Sequence, residues 1–315
     1  MNVNYLRISI TDRCNLRCFY CMPEDGLDLK EHSEIMSYEE IYKVTKIASQ
    51  LGITKVRITG GEPLARLNSE ELIKMINSID GIEEITMTTN GVSFAEKAKI
   101  LKENGLSRVN ISLDTLDRKQ YKKITGKDKL DKVMESINKA KELDLNPVKV
   151  NTVLIKGYND DQLKDFINFM DQQDIVLRFI EYMPIGNGKN NDNHISLKEI
   201  KNKLEEEYTL KPVDVKGNGP AHYFKIAGLA GKLGFISPFT HNICDNCNRL
   251  RLTSEGNLRS CLLKEEETSL YSNNELLSEE QIKRIFLKSI KRKSPHDGYD
   301  NILKNNKKSM HSIGG

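Results

Sequence analysis

The stretch Thr11–Pro23, "TDRCNLRCFYCMP", carries Cys14, Cys18 and Cys21 at C-x3-C-x2-C spacing, and Cys244, Cys247 and Cys261 follow at C-x2-C-x13-C. These two triads account for all six cysteines. An even count also permits three disulfides, but a long chain whose start, Met1–Ile10, lacks the basic and apolar regions of a secretory signal reads as cytoplasmic, where disulfides are rare. Clustered thiolates hold metal, yet tetrahedral zinc and an iron–sulfur cube each offer four ligand positions. His32 is the nearest spare zinc ligand for the first triad, and His241 would complete a zinc ribbon at the second. A cube held by three thiolates instead leaves one iron open to a chelating small molecule. The same omission in both triads favours the cube.

Cations form the next constellation. Lys and Arg number 48 against 45 Asp and Glu, a net +3 that is too even to argue for nucleic acid. Local clustering is another matter. Arg249 and Arg251 flank Leu250, so on a strand they point the same way. Arg57 and Lys149 fall on polar strand faces, and Arg7 and Arg178 on the first and last strands of the same set. Guanidinium pairs match phosphate oxygens, and a buried charge without a partner costs several kcal/mol. Converging cations therefore imply a polyanion such as a triphosphate. "TGGEP" (Thr59–Pro63) ends one strand, with two glycines for close backbone approach and Glu62 as an acceptor for an amine.

Elements must bring these residues together. β-branched segments near Leu6–Ile10, Lys55–Thr59, Glu84–Thr88, Arg108–Leu113, Val148–Leu154 and Ile175–Glu181 alternate with helical patterns. The clearest helix starts at Ser37, with Glu40 completing a capping box and Gly52 supplying the stop. Others span Leu72–Ile79, Phe94–Glu103, Leu130–Leu143 and Gln162–Met170. Such βα repetition predicts a parallel sheet with helices outside. A doubly wound sheet would bury both faces, but Arg57/Thr59, Thr86/Thr88, Asn110/Ser112 and Lys149/Asn151 keep one face polar. The expected fold is α/β, an incomplete (β/α)6 TIM-like barrel with a wet lumen and a C-terminal cluster-binding extension. Residues 1–183 form the barrel and 184–195 a Gly/Asn-rich connecting loop; 196–315 form a C-terminal region with the second triad and a Gly-Gly tail. In that region a helix runs from Ser196 to about Tyr208, short strands follow, and the tail from Lys264 is charged and weakly patterned.

These residues carry a resemblance. The first triad, with Tyr20 before its last cysteine, resembles the radical S-adenosylmethionine (SAM) signature, and "GGEP" resembles that superfamily's element for the methionine amino group. "RITGGEPL", "TTNG", "RVNISLDTL", "VKVNTVLIKG", "RFIEYMPIG", "CDNCNRLRLT" and the final Gly314–Gly315 match, in order, the GTP 3′,8-cyclase family of molybdenum cofactor biosynthesis. The match runs from about Tyr5 to Leu263 plus the tail; residues 264–309 match poorly and receive no assignment.

The resemblance implies two [4Fe–4S] clusters, on Cys14/Cys18/Cys21 and Cys244/Cys247/Cys261, with SAM on the open iron of the first. SAM would lie against Tyr20, Gly61, Ser112 and Met183, with Thr59 and Glu62 as further contacts. GTP would be held by Arg7, Arg57, Thr88, Lys149, Arg178, Arg249, Leu250 and Arg251, with Gly314 and Gly315 entering the active site. A 5′-deoxyadenosyl radical would take hydrogen from C3′ of the ribose. The C3′ radical would then close on C8 of guanine, whose base the second cluster orients. The implied partners are GTP, a low-potential electron donor and the cyclic pyranopterin monophosphate synthase step that takes the product. No nucleic acid or membrane is implied, and the protein would act as a homodimer or monomer. The rivals are a radical SAM enzyme acting on a peptide or tRNA, and a non-catalytic zinc or electron-transfer protein.

Overall fold

A computed structural model describes residues 3–22, 29–183, 191–217, 219–238, 247–262, 264 and 266–293. Six strands pair in parallel and in chain order: β1 (Tyr5–Ser9), β2 (Lys55–Thr59), β3 (Glu84–Thr89), β4 (Leu106–Ser112), β5 (Lys149–Leu154) and β6 (Val176–Glu181). Helices α1 (Tyr38–Gln50), α2 (Ser69–Asn77), α3 (Phe94–Glu103), α4 (Arg118–Thr125), α5 (Leu130–Glu142) and α6 (Leu163–Gln173) form the crossovers, and α7 (Leu197–Glu207) follows β6.

Period-two alternation sorts the strand side chains. Leu6, Ile8, Val56, Ile58, Met87, Val109, Ile111 and Val150 are buried in one core with the apolar helix stripes. Each such side chain contributes about 1.5–3 kcal/mol by leaving water. The opposite face carries Arg57, Thr88, Asn110, Lys149, Asn151 and Arg178, all lining a cavity. In α1 the capping box forms as expected: Ser37 Oγ accepts from Glu40 N at 3.1 Å, and Glu40 returns a carboxylate to Ser37 N at 2.7 Å.

Six of the strands beyond residue 196 continue this same sheet at both edges. They are β7 (Leu210–Pro212), β8 (His222–Ile226), β9 (Lys232–Ile236), β10 (Arg249–Leu252), β11 (Asn257–Arg259) and β12 (Glu267–Ser269). β9 runs parallel beside β6, and β10 parallel beside β1. The full order is β12-β11-β10-β1-β2-β3-β4-β5-β6-β9-β8-β7. Arg251 of β10 and Arg178 of β6 line one cavity although five strands lie between theirs, so the sheet is curled. Its order is open, with β12 and β7 at the two edges. The architecture is the incomplete barrel expected.

Two helices were not anticipated. α4 is only eight residues long, too short for its period to stand out, although Asp117 caps it and Gly126 closes it at φ 74°. α8 (Glu279–Lys291) lies in the charged, weakly patterned tail. Its fully buried residues are only Ile282, Phe286 and Ser289, with Ile285 and Ile290 partly buried against the core and charged residues at most other positions. Among the described residues no helix is long and apolar enough to cross a membrane.

Candidate functional site

The loop bearing Cys14, Cys18 and Cys21 leaves the C-terminal end of β1 and is pinned from two sides. The amides of Arg17 and Phe19 donate to the carbonyls of Thr125 (2.8 Å) and Ile124 (3.1 Å) in the last turn of α4. These are carbonyls that a helix end cannot satisfy internally. From the other side, Gly61 N donates to Thr11 O and Glu62 N to Arg13 O, both at 2.8 Å. A Cβ on Gly61 would stand 2.5 Å from the Arg13 carbonyl oxygen, and one on Gly60 would stand 2.7 Å from that of Thr11. The glycines thus permit close approach to the protein's own cysteine loop, which spacing alone could not indicate. Gly61 also faces the cavity.

Glu62, expected as an amine acceptor, lines the cavity and also holds contacts within the protein. It is buried, and its Oε1 accepts from Thr89 Oγ1 (2.7 Å) and Leu64 N (3.1 Å), while Oε2 accepts from Asn90 N (2.7 Å). Burial pushes its carboxyl up to about 7. Its visible work is to brace the loops after β2 and β3 against each other. Asn90 then turns its amide to Cys14 Sγ at 3.7 Å, and Leu16 N donates to the same sulfur at 3.4 Å. Tyr20 donates its hydroxyl to Asp114 at 2.6 Å, and burial raises Asp114 to about 6. Tyr20, Thr59, Gly61, Glu62, Ser112 and Met183 all line the cavity, as do the three cysteines.

That cavity encloses about 370 Å3, within the range of roughly 300–1,000 Å3 usual for small-molecule sites. Its wall away from the first triad is cationic. Strand pairing sets Arg251 beside Arg7 and Arg7 beside Arg57, three guanidiniums across three adjacent parallel strands. Strand neighbours lie only about 4.8 Å apart, and like charges directly opposite are destabilising. Burial and this crowding of like charges both disfavour the charged forms. Burial and then Arg251 push Arg7 well down, and burial and then Arg249 bring Arg251 to about 10. Burial, followed by Arg178, Arg108 and Arg57, lowers Lys149 to about 6. Buried Arg178 Nε and Asn151 Oδ1 find no hydrogen-bond partner among the described residues.

Arg7, Arg57, Thr88, Lys149, Arg178, Arg249 and Arg251 therefore meet in one place. Leu250 does not join them. Its side chain is fully buried in the core because alternation turns it away from its two neighbours, leaving only its peptide toward any ligand. Cys247 and Cys261 line the cavity; Cys244, Gly314, Gly315 and the candidate zinc ligand His241 lie outside the described residues.

Several site residues escaped sequence reasoning. Arg108 pairs with Glu84 at 2.6 Å and also lines the cavity. With its amide oxygen turned inward, Asn110 accepts from Arg178 (2.8 Å) and from Arg57. Lys216 O, on the loop closing the barrel floor, accepts from Lys149 Nζ (2.7 Å) and Arg108 Nη1 (3.3 Å). Gly217 follows at φ +135°, where a Cβ would come within 3.0 Å of Lys149 Nζ. Only the polar alternation on β4 hinted at Asn110; nothing in the sequence signalled the floor loop.

The donor sets suit iron–sulfur clusters. Burial would raise the Cys247 thiol, but Arg249 and Lys293 outweigh it and bring it to about 6, the thiolate form that binds metal. Hydrogen bonds reach Cys14 Sγ from Leu16 and Asn90, the kind of contact that tunes a cluster's ligand sulfurs. Among the described residues no three His, Cys, Asp or Glu side chains converge as ligands of one ion. Thiolates bound to different irons of one cube need not converge so. His32, the alternative zinc ligand, is exposed and does not line the cavity.

Fold and site together define a radical SAM protein: residues 8–170 match the Radical SAM superfamily and residues 175–299 match Molybdenum Cofactor Synthesis C. A GTP 3′,8-cyclase of Syntrophomonas wolfei is 47% identical over 319 residues, covering 100% of this chain and 98% of that one. One of Petrotoga mobilis is 46% identical over 317 residues, again covering 100% and 98%. The chain belongs to the GTP 3′,8-cyclase family. Among solved structures, Streptococcus suis SuiB bound to S-adenosylmethionine superposes with a TM-score of 0.58 at 17% identity, over 85% of this chain and 63% of SuiB. anSMEcpe with bound AdoMet gives 0.51 at 20% identity, over 64% of this chain and 56% of that one. These two share the fold.

Proposed function

We propose that the chain acts as its family relatives are named: a cytoplasmic GTP 3′,8-cyclase, a lyase in molybdenum cofactor biosynthesis. It would convert GTP to (8S)-3′,8-cyclo-7,8-dihydroguanosine 5′-triphosphate. The observation that carries this reading is the Arg251–Arg7–Arg57 row, set in one cavity with Cys14, Cys18 and Cys21 and with Cys247 and Cys261. SAM and the [4Fe–4S] clusters, when bound, supply the 5′-deoxyadenosyl radical chemistry. The chain's own residues do the rest.

Cys14, Cys18 and Cys21 hold the cluster that meets SAM. Tyr20, Gly61, Ser112 and Met183 shape the SAM end, with Thr59 beside them and Glu62 holding the loops. Cys244, Cys247 and Cys261 hold the second cluster at the GTP end. Arg7, Arg57, Arg178, Arg249 and Arg251, with Thr88 and Lys149, take the triphosphate and fix the ribose, which is how positioning lowers a barrier. A walled cavity also keeps a radical from side reactions. Gly314 and Gly315 enter the same cavity on the family pattern. A low-potential donor supplies electrons, the product passes to the cyclic pyranopterin monophosphate synthase step, and the protein works as a homodimer or monomer.

The test is anaerobic reconstitution followed by incubation with GTP, SAM and dithionite. Both 5′-deoxyadenosine and a cyclised GTP should form. Absence of both from a fully loaded protein would overturn the reading in favour of a peptide- or tRNA-modifying relative.

Lys149 adds a pH signature. Its free-state value near 6 leaves it largely neutral at pH 8. Triphosphate beside it would restore the ordinary Lys value, about 10.4. Binding then takes up a proton between those limits, and GTP affinity falls as pH rises, by at most about tenfold per unit. Calorimetry at pH 8 in buffers of different ionisation enthalpy should find one proton taken up, and Lys149→Met should remove that uptake.

A further inference from the structure

Helix α8 ends at the second cysteine group. Its capping box, Ser278 with Gln281, starts it, and Ile282 and Phe286 anchor it in the core. The residues just past its last turn, Arg292 and Lys293, therefore reach the cavity from a fixed direction, and both line it. Lys293 Nζ donates to Cys247 Sγ at 3.0 Å and to the Cys247 carbonyl oxygen at 2.8 Å. One ammonium thus grips both the sulfur and the backbone of a single cysteine.

We infer that Lys293 is a positioning residue for the second cluster, tuning its reduction potential through the N–H···S bond to Cys247. The inference rests on the reading of Cys247 as a cluster ligand. Cluster potentials respond to net charge and to hydrogen bonds at the ligand sulfurs. A cation donating to a ligand thiolate draws electron density from it and favours the reduced, more negative cluster. The bond to the carbonyl fixes the direction of that donation, because two contacts on one residue leave the ammonium little freedom. A lysine acting as a substrate ligand would instead aim its donors into the cavity; here two of its three are spent on Cys247. Half-buried Lys283 on α8 makes an ordinary i,i+4 pair with Glu279, so Lys293 differs from it in partner as well as in place.

The test compares the full-length, anaerobically reconstituted protein with Lys293→Met, which keeps the stem and removes charge and donors, and with Lys293→Arg. Iron and sulfide are counted, and the clusters are titrated potentiometrically by EPR. The signal perturbed by added GTP marks the second cluster, and the one perturbed by SAM marks the first. With Met the second-cluster midpoint should move to more negative potential while the first stays in place. An exchangeable-proton coupling at the second cluster should disappear, and arginine should restore part of both. Selective loss of the second cluster in the Met variant, reversed by Arg, supports the same role through the Cys247 grip. A fully loaded Met variant with an unmoved midpoint and a tenfold or greater loss of GTP affinity would overturn the inference and make Lys293 a phosphate ligand. A wild-type protein with no second signal would overturn the two-cluster reading itself, which separates that failure from this one.

Discussion

Alanine at both Arg249 and Arg251 is expected to weaken GTP binding by about 10²- to 10⁴-fold and to leave SAM binding nearly unchanged. Each hydrogen bond between a charged donor and phosphate is worth about 1.5–3 kcal/mol, and 1.4 kcal/mol is tenfold. Two losses would therefore sum to about 3–6 kcal/mol if they were independent. They are not. Arg251 stands in register with Arg7, and each disfavours the charge of the other. Removing Arg251 relieves that repulsion, which places the expected effect toward the lower end. SAM binding should be spared because the contacts proposed for it lie at the C-terminal ends of β2 and β4 and on the loops after β1, β2 and β6, whereas Arg249 and Arg251 belong to β10. Equilibrium binding of each ligand to the reconstituted protein decides the matter. Equal loss of both ligands would show that the arginines serve the fold.

The second large effect separates the two cysteine groups. Cys18→Ala should abolish 5′-deoxyadenosine formation, since it removes one of the three thiolates proposed to hold the first cluster while the backbone hydrogen bonds that pin the loop to α4 and Gly61 remain. Cys261→Ala should spare SAM binding and its reductive cleavage while ending formation of the cyclised nucleotide. Each variant should lose about four irons per chain, the content of one cube. Product analysis alongside iron counts tests both statements at once. Loss of SAM cleavage in Cys261→Ala with the first cluster intact would mean that the two sites do not work separately. Loss of about eight irons in either variant would mean that one cluster cannot assemble without the other.

Much of this was legible without coordinates because it depends on local periods. Alternation along β2, β4 and β5 sent Arg57, Asn110 and Lys149 to one face and Val56, Ile111 and Val150 to the other, and a parallel sheet with one polar face must enclose something. The Ser37–Glu40 cap and the spacing of Cys14, Cys18 and Cys21 are likewise properties of a few consecutive residues. The family motifs extended that reading to SAM and GTP.

Local sequence thus fixes which residues share a face, which cysteines share a loop, and that cations recur on the inward side. That Arg251 lies beside Arg7 emerges only on folding, because the pairing of β10 with β1 joins strands far apart in the chain and leaves no short-range signature. The same holds for α4 under the first cysteine loop, for Lys216 O beneath Lys149, and for Lys293 against Cys247. It holds also for Glu62, whose carboxylate is taken up by Thr89 and Asn90. The physical reason is that side-chain direction follows from backbone geometry within two or four residues. Register and docking between distant segments follow instead from how the whole core closes.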